Sequence, residues 1–216
     1  MILTPEACGE ILDVSRETLD RLRAYVDLLT NWNRRINLVG AASLTDVWRR
    51  HILDSGQLVR HIGSDVRVLV DLGSGAGLPG LILGILGVPE VHLIEADQRK
   101  AAFLREAARA TGACATVHAA RIESVAPFPA DVVTARALAP VPQLLERSVP
   151  FLTGGTICLF LKGRDLQDEL TAVPEKWIMQ TQVLVSIADP TGNILRVEGL
   201  RAVDRPPSGR SRERAD

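Results

Sequence analysis

The sequence is poor in the residues that mark several protein classes. Its 216 residues include only three cysteines, far apart and without CxxC spacing, which argues against a disulfide framework and a zinc site. No apolar run reaches the roughly 18 residues of a membrane span, and the beginning of the chain lacks the pattern of a secretory signal. The formal net charge of -1 gives no overall attraction to nucleic acid. These absences predict a cytoplasmic protein with reduced thiols, no metal and no membrane contact.

Apolar periodicity divides the chain into a helical beginning and a region where strands and helices alternate. Capping residues and apolar spacing predict helices over residues 1–62. The first begins at Thr4-Pro5-Glu6, the second begins near Ser15, and a third helical stretch covers 45–61. From residue 66 onward, alternation predicts a doubly wound, Rossmann-like α/β fold with a mostly parallel sheet. The predicted strands cover 66–70, 91–94, 115–119, 131–135 and 156–161, and the predicted helices cover 77–85, 99–111 and 142–149.

The end of the chain breaks this alternation. Residues 177–187 and 194–203 both predict strands, and the connection between them is too short for a crossover helix. This short connection therefore predicts a hairpin in which one strand runs antiparallel to its partner. Residues 205–216 combine proline, glycine, serine and alternating charge, which predicts a disordered tail. The expected organisation is an N-terminal helical segment over 1–62 packed on an α/β domain over 63–204, followed by this tail.

A glycine-rich turn follows the first predicted strand. The strand ends at Asp71, and Gly73, Gly75 and Gly77 follow at alternate positions. Glycine permits a tight turn and lets a ligand approach the backbone closely. The next helix is predicted to begin at Gly77, so its free amide groups and its dipole would face a ligand. Glu95, which ends the second strand about twenty residues later, supplies a carboxylate for a ribose. Together these features predict a site for an adenosine cofactor.

Two adenosine cofactors fit this turn. Residues 75–80 form a GxGxxG string, the fingerprint of dinucleotide-binding folds. S-adenosylmethionine is favoured by Asp71, because a carboxylate attracts its ammonium and sulfonium groups and repels a pyrophosphate. The terminal hairpin also matches the antiparallel final strand of methyltransferase sheets. A regulator that binds NAD or NADH without catalysis remains the alternative at this point.

Several motifs, in order, resemble those of one bacterial family. They are Asn37-Leu38-Val39-Gly40, Arg50-His51-Ile52-Leu53-Asp54-Ser55, the turn from Asp71 to Gly80, Arg121-Ile122-Glu123, Ala135-Arg136-Ala137 and Leu161-Lys162-Gly163. The turn includes a Leu78-Pro79-Gly80 ending that generic methyltransferases lack. From about residue 31 to residue 162, the chain thus resembles the glucose-inhibited division protein B family, the small-subunit ribosomal RNA methyltransferase G. Ile122 stands where many members have alanine or valine.

The resemblance implies a class I methyltransferase that uses S-adenosyl-L-methionine and releases S-adenosyl-L-homocysteine. It implies methylation of nitrogen 7 of one guanine in a 16S ribosomal RNA loop near the decoding site, by a monomer whose partner is that RNA or the small ribosomal subunit. A small-molecule methyltransferase is a further alternative. The resemblance assigns cofactor contacts to Gly73, Leu78, Ile122, Glu123 and Arg136. With the turn and its ribose carboxylate, the expected cofactor contacts are Asp71, Gly73, Ser74, Gly75, Gly77, Leu78, Glu95, Ile122, Glu123 and Arg136.

The chemistry of nitrogen 7 limits what the RNA-binding residues must do. This atom carries a lone pair and no proton, so its methylation requires in-line orientation and no general base. In an RNA helix it lies in a deep, narrow groove, so the guanine must be unstacked or in a loop. No catalytic residue is assigned with certainty, and orientation falls to Arg136 and Lys162. The expected RNA contacts are Arg34, Arg35, His51, Arg136 and Lys162.

Structural roles are the alternatives for these side chains. Arg136 would instead form an ion pair with Glu123. His51 and Asp54 lie three residues apart on a predicted helix and share a face, which favours an internal hydrogen bond that docks the helical segment. Lys162 would be a solvated surface lysine.

Overall fold

A seven-stranded sheet runs through the computed structural model of the chain, which describes residues 2–203. The strands are β1 (Val68–Leu72), β2 (Glu90–Ile94), β3 (Ala115–His118), β4 (Val132–Arg136), β5 (Ile157–Lys162), β6 (Trp177–Val185) and β7 (Asn193–Ala202). Their order across the sheet is β3-β2-β1-β4-β5-β7-β6. Neighbours from β3 to β5 are parallel, and β7 is antiparallel to both β5 and β6. The predicted parallel sheet with one antiparallel hairpin strand is confirmed.

Helices cover both faces of the sheet. They are α1 (Pro5–Leu12), α2 (Arg16–Asn33), α3 (Asp54–Gly56), α4 (Gly80–Ile85), α5 (Gln98–Thr111), α6 (Val141–Ser148) and α7 (Leu166–Thr171). Successive residues of β1 point to opposite faces: Leu69 packs in one apolar cluster, and Val70 and Leu72 pack in the other. Because both faces of its central strands are buried, the sheet is built from continuous apolar runs.

The two N-terminal helices begin where the sequence predicts. Thr4 caps α1 by accepting a hydrogen bond from the amide of Ala7, and Ser15 caps α2 by accepting one from the amide of Thr18. Tyr25 of α2 is fully buried and meets the ring of Phe103 on α5 edge-on. These helices therefore share one apolar cluster with the sheet.

The predicted third helical stretch over 45–61 is helical, but it is not one regular α-helix. The chain forms a 3₁₀ turn (Ala41–Asp46), a π turn (Trp48–Leu53), α3 and a second 3₁₀ turn (Gln57–His61). Side chains take backbone carbonyls in this stretch, since Arg136 donates to the oxygen of Arg50 and Gln57 donates to that of Asp54. These bonds occupy carbonyls within the irregular stretch, and such irregular turns often occur at functional sites.

The helix after the glycine turn also begins later than predicted. Gly73, Gly75 and Gly77 have φ angles of 65°, 56° and 83°, in the left-handed region that glycine tolerates. The turn therefore continues as far as Pro79, and α4 begins at Gly80 instead of Gly77. The loop, and not a helix N-terminus, forms the surface at this place.

One short helix and the end of the chain differ in standing from the rest of the predicted organisation. Helix α7 was not predicted, because six residues are too few for a clear period. The predicted tail over 205–216 lies outside the described residues. Within residues 2–203, no helix is both long and apolar enough to cross a bilayer.

Candidate functional site

A cleft of about 450 Å³ opens at the carboxyl end of β1, between β2 and β4. At this point the strand order reverses, and doubly wound sheets bind ligands at such switch points. Eight of the ten predicted cofactor contacts line the cleft: Gly73, Ser74, Gly75, Leu78, Glu95, Ile122, Glu123 and Arg136. Motifs from four separate stretches of sequence therefore meet at one place.

Glu95 ties the glycine loop to the end of β2. Its side chain is nine-tenths buried; one oxygen accepts a hydrogen bond from the amide of Gly75 (2.8 Å) and the other accepts from the amide of Asp97 (2.8 Å). The amide of Ser74 donates to the carbonyl of Ile94 at 3.0 Å. These bonds fix the carboxylate at the cleft wall while its other lone pairs stay available.

The glycine loop is also held from the side of α2. The hydroxyl of Tyr25 donates to the carbonyl of Ala76 at 2.7 Å, and both groups are buried. A side chain at Gly73 would be strained, because its φ is 65° and a Cβ there would lie 2.5 Å from Cδ1 of Leu138, which would have to move. The loop conformation thus depends on one N-terminal tyrosine and on the lack of a side chain at Gly73.

Asp71 and Gly77 do not line the cleft. Asp71 is fully buried beneath the loop, where its Oδ1 accepts a hydrogen bond from Oγ1 of Thr134 at 2.7 Å. Burial raises the pKa of Asp71 to about 6. Gly77 packs against α5, since a Cβ there would lie 3.0 Å from Leu104. Both residues lie behind the loop and outside the lining of the cleft, so ligand contacts by Asp71 and Gly77 stay predictions.

A second, larger cavity of about 790 Å³ adjoins the cleft. It lies between the segment 40–54, the ends of β4 and β5, and the loop that joins β6 to β7. Arg136 and Ala137 line both spaces. Ala137 has a φ of 51°, a conformation that residues other than glycine seldom adopt and that clusters at functional sites. The backbone turns sharply where the two spaces meet.

Arg136 is the centre of a hydrogen-bond network at this junction. Its guanidinium donates to Nδ1 of His51 from both terminal nitrogens (3.2 Å each) and to the carbonyl of Arg50 at 3.1 Å. Its Nη1 also lies 3.3 Å from Oδ2 of Asp54, which forms an ion pair. The predicted alternative, an ion pair with Glu123, is wrong, because Arg136 pairs with Asp54.

The network extends through the imidazole of His51. Because Nδ1 accepts from Arg136, the proton of the neutral ring belongs on Nε2, which lies 2.8 Å from the hydroxyl of Ser43. That hydroxyl donates in turn to the carbonyl of Gly40 at 2.6 Å. Burial, together with the charge of Arg136, lowers the pKa of His51 to about 4. His51 is therefore a neutral, fixed group, and the helical segment docks through Arg136.

The other predicted RNA contacts occupy two different places. Lys162 ends β5 and lines the second cavity, where its ammonium pairs with Glu169 at 2.5 Å and donates to the carbonyl of Ala139. Its RNA contact stays a prediction, although it is not a freely solvated lysine. Arg34 and Arg35 line a separate depression beside α2. The structure thus brings His51, Arg136 and Lys162 together, and leaves these two arginines apart.

Several residues that line the cleft were not predicted from the sequence. Lys100, Arg121, Leu138 and Arg147 also line the cleft, and Arg147 lies 3.6 Å from Glu123. Arg121 belongs to a motif already singled out, so its position was the available signal. Within the described part of the chain, no group of three or more histidine, cysteine, aspartate and glutamate side chains is arranged to hold a metal ion.

A family model described as rRNA small subunit methyltransferase G matches residues 18–195. The chain belongs to this family. It is 55% identical over 195 residues to the ribosomal RNA small subunit methyltransferase G of Rhodospirillum rubrum, covering 90% of this chain and 97% of the relative. The relative of the same name from Rhodospirillum centenum is 59% identical over 187 residues, 87% of each chain. The resemblance noted from the motifs is confirmed and extends beyond them on both sides.

Solved structures support the fold of this methyltransferase G family member. A variant of MtNAS in complex with S-adenosylmethionine superposes with a TM-score of 0.56 at 16% identity, covering 91% of this chain and 84% of that one. A ribosomal protein L11 methylase from Lactobacillus delbrueckii subsp. bulgaricus also gives 0.56, at 12% identity and with 74% and 80% covered. At these identities the likeness establishes the shared Rossmann-like architecture.

Proposed function

We propose that the chain binds S-adenosyl-L-methionine in the cleft and methylates nitrogen 7 of a guanine in 16S ribosomal RNA, with release of S-adenosyl-L-homocysteine. One observation carries the proposal. In a member of an rRNA methyltransferase family, the glycine loop, Glu95 and Arg136 surround one cleft that opens into a second cavity. The first space suits a nucleoside ligand, and the second offers room for a base beside it.

The lining of the cleft fits an adenosyl ligand. The carboxylate of Glu95 uses one lone pair per oxygen on backbone amides, which leaves acceptors for the two ribose hydroxyls. Leu78, Ile94 and Ile122 supply apolar surface for an adenine ring. The volume of about 450 Å³ lies in the range of small-molecule sites.

The reaction needs orientation more than acid–base chemistry. The bound cofactor would supply a methyl group on a positively charged sulfur. The lone pair of nitrogen 7 would take this methyl group as the carbon–sulfur bond breaks, the electrons of that bond would return to sulfur, and the positive charge would pass to the guanine. No proton moves, which agrees with a His51 whose two ring nitrogens are both engaged. The protein contributes by holding the base in line.

The alternative functions receive less support. A dinucleotide site would place a pyrophosphate at a helix N-terminus, but the first residues of α4, Gly80 and Leu81, are buried, and the amide of Leu81 already donates to the carbonyl of Gly77. Membership in an rRNA methyltransferase family also favours RNA over a small molecule as substrate.

The direct test is methyl transfer from labelled S-adenosyl-L-methionine to isolated small ribosomal subunits, with the modified base mapped by mass spectrometry. We expect a single 7-methylguanosine in 16S rRNA. Calorimetry with S-adenosyl-L-homocysteine and with NADH is the companion measurement. Binding of NADH alone, or methylation of a metabolite and not of subunits, would overturn the proposal.

A further inference from the structure

We propose that Asp54 and Arg136 select guanine by reading its Watson–Crick edge in the second cavity. This inference rests on the proposed function and names the residues that would confer its base specificity. It starts from an ion pair that lines a large cavity and at the same time borders the cofactor cleft.

The ion pair retains hydrogen-bonding capacity toward the cavity. Nη1 of Arg136 and Oδ2 of Asp54 are 3.3 Å apart, and 18% and 19% of the two side chains stay exposed. Oδ1 of Asp54 accepts from Nε2 of Gln57 at 3.2 Å. Each carboxylate oxygen therefore has one bond from the protein and a lone pair to spare. Donor and acceptor groups are thus presented side by side on one wall.

This arrangement follows the order of groups around guanine. Along its edge the base presents the 2-amino group, N1–H, O6 and then N7. The two oxygens of Asp54 match the two donors, and Nη2 of Arg136, which donates one N–H to Nδ1 of His51, has a second N–H for O6. N7 is the next position, and Arg136 also lines the cleft in which the methyl donor is proposed to lie. A base held in this way would direct N7 out of the second cavity toward the cleft.

The same wall rejects the other purine. Adenine also carries an N7, but it has an amino group in place of O6 and a bare lone pair at N1. Arg136 would then face a donor, and Asp54 would face an acceptor. Sites built to hydrogen-bond one ligand discriminate strongly in this way, because their buried polar groups are left unpaired by the wrong one.

The carboxylates of the cavity favour a base over a phosphate as its occupant. Five carboxylates line it beside four cationic side chains, so the cavity offers a phosphate no net attraction: they are Asp46, Asp54, Asp165, Glu169 and Asp189, and Arg49, Arg50, Arg136 and Lys162. Arg49 pairs with Asp46, and Arg136 pairs with Asp54. Lys162, a natural phosphate ligand, is already paired with Glu169. A base with two adjacent N–H donors uses such carboxylates directly.

The test compares small subunits whose 16S rRNA carries guanine, inosine or adenine at the mapped target position. Inosine keeps O6 and N1–H and lacks only the 2-amino group. We compare the wild type with Asp54→Asn and with Asp20→Asn, a control that also turns the carboxylate of an arginine ion pair into an amide, on the exposed side of α2. The readout is kcat/KM for each base, because the ratio between bases is insensitive to a general loss of activity.

We expect the wild type to prefer guanine over inosine by roughly tenfold, as for one hydrogen bond to a charged acceptor, and to leave adenine unmodified. Asp54→Asn should lose roughly 10- to 100-fold on guanine and retain little preference over inosine. Asp20→Asn should match the wild type. Equal wild-type rates on guanine and inosine would overturn the inference, as would an Asp54→Asn enzyme that keeps the full preference.

Two outcomes are separable from these. If Asp54→Asn fails to fold, the wild-type rates on the three bases still decide, since equal rates contradict the assignment without any variant. If the wild type modifies no guanine N7 in subunits, the proposed function itself fails and this inference fails with it. Methylation of guanine N7 without discrimination against inosine overturns the inference alone.

Discussion

Replacing Asp71 by asparagine is expected to change how the stability of the fold depends on pH. The carboxyl of Asp71 is fully buried, and burial raises its pKa from 3.8 to about 6. Between these pH values the folded state keeps a proton that the unfolded chain has released. The contribution of Asp71 to stability is therefore fully present below pH 3.8 and is lost as the pH rises through about 6.

The size of the effect follows from the two pKa values. Their separation corresponds to about 3 kcal/mol of unfolding free energy, of which about 2 kcal/mol falls between about pH 4.5 and about pH 7.5. Asparagine does not titrate, and its side-chain oxygen can still accept the hydrogen bond from Thr134. The unfolding free energy of Asp71→Asn, relative to the wild type, should thus rise by about 2 kcal/mol over this interval.

Urea unfolding of both proteins at several pH values, followed by tryptophan fluorescence, measures this difference. The comparison at each pH removes the contributions of all other titrating groups, including His51, whose lowered pKa acts in the opposite sense. Coincident transitions by circular dichroism provide the two-state control. A difference that is flat with pH, or that falls as the pH rises, would refute the reasoning.

Three other predictions concern the cleft, each with S-adenosyl-L-homocysteine affinity by calorimetry as the readout. Tyr25→Phe leaves a buried loop carbonyl without its donor, so it should cost about 1–3 kcal/mol of stability and weaken binding; undiminished affinity would contradict the loop support. Gly73→Asp should abolish binding in a folded protein, whereas Gly112→Asp, at a similar φ of 64° but in open space, should bind normally. Glu95→Gln should weaken binding about tenfold, as for one lost charged hydrogen bond, whereas Glu90→Gln, at the exposed first residue of the strand that Glu95 follows, should not.

Much of the fold could be predicted from the sequence because buried parallel strands are short apolar runs and the final connection is too short for a helix. The helical character of 45–61 could be predicted as well, but its division into 3₁₀, π and α turns could not. The spacing of apolar residues indicates which face of a segment is buried. It does not indicate which backbone carbonyls will accept hydrogen bonds from side chains that are distant in the sequence. Arg136, which is 86 residues away from Arg50 in the sequence, donates to the carbonyl of Arg50.

For the candidate site, too, one part could be predicted from the sequence and another could not. Its motifs identify residues that meet at one cleft, since the carboxyl ends of parallel strands share an edge. The motifs alone do not show which side chains contact one another; the three-dimensional structure does. An ion pair with Glu123 was the alternative considered for Arg136, whereas the structure pairs Arg136 with Asp54, 82 positions away. Asp71 was expected to face a ligand, but a period of two does not reveal what covers the end of a strand.

The position of Arg136 between the two spaces has a thermodynamic consequence. One guanidinium borders both, so a ligand that shifts it in one space alters the affinity of the other. Such linkage is reciprocal: whatever factor the first ligand imposes on the second, the second imposes on the first. The dissociation constant of either ligand, measured alone, would then differ from its value when the other ligand is already bound.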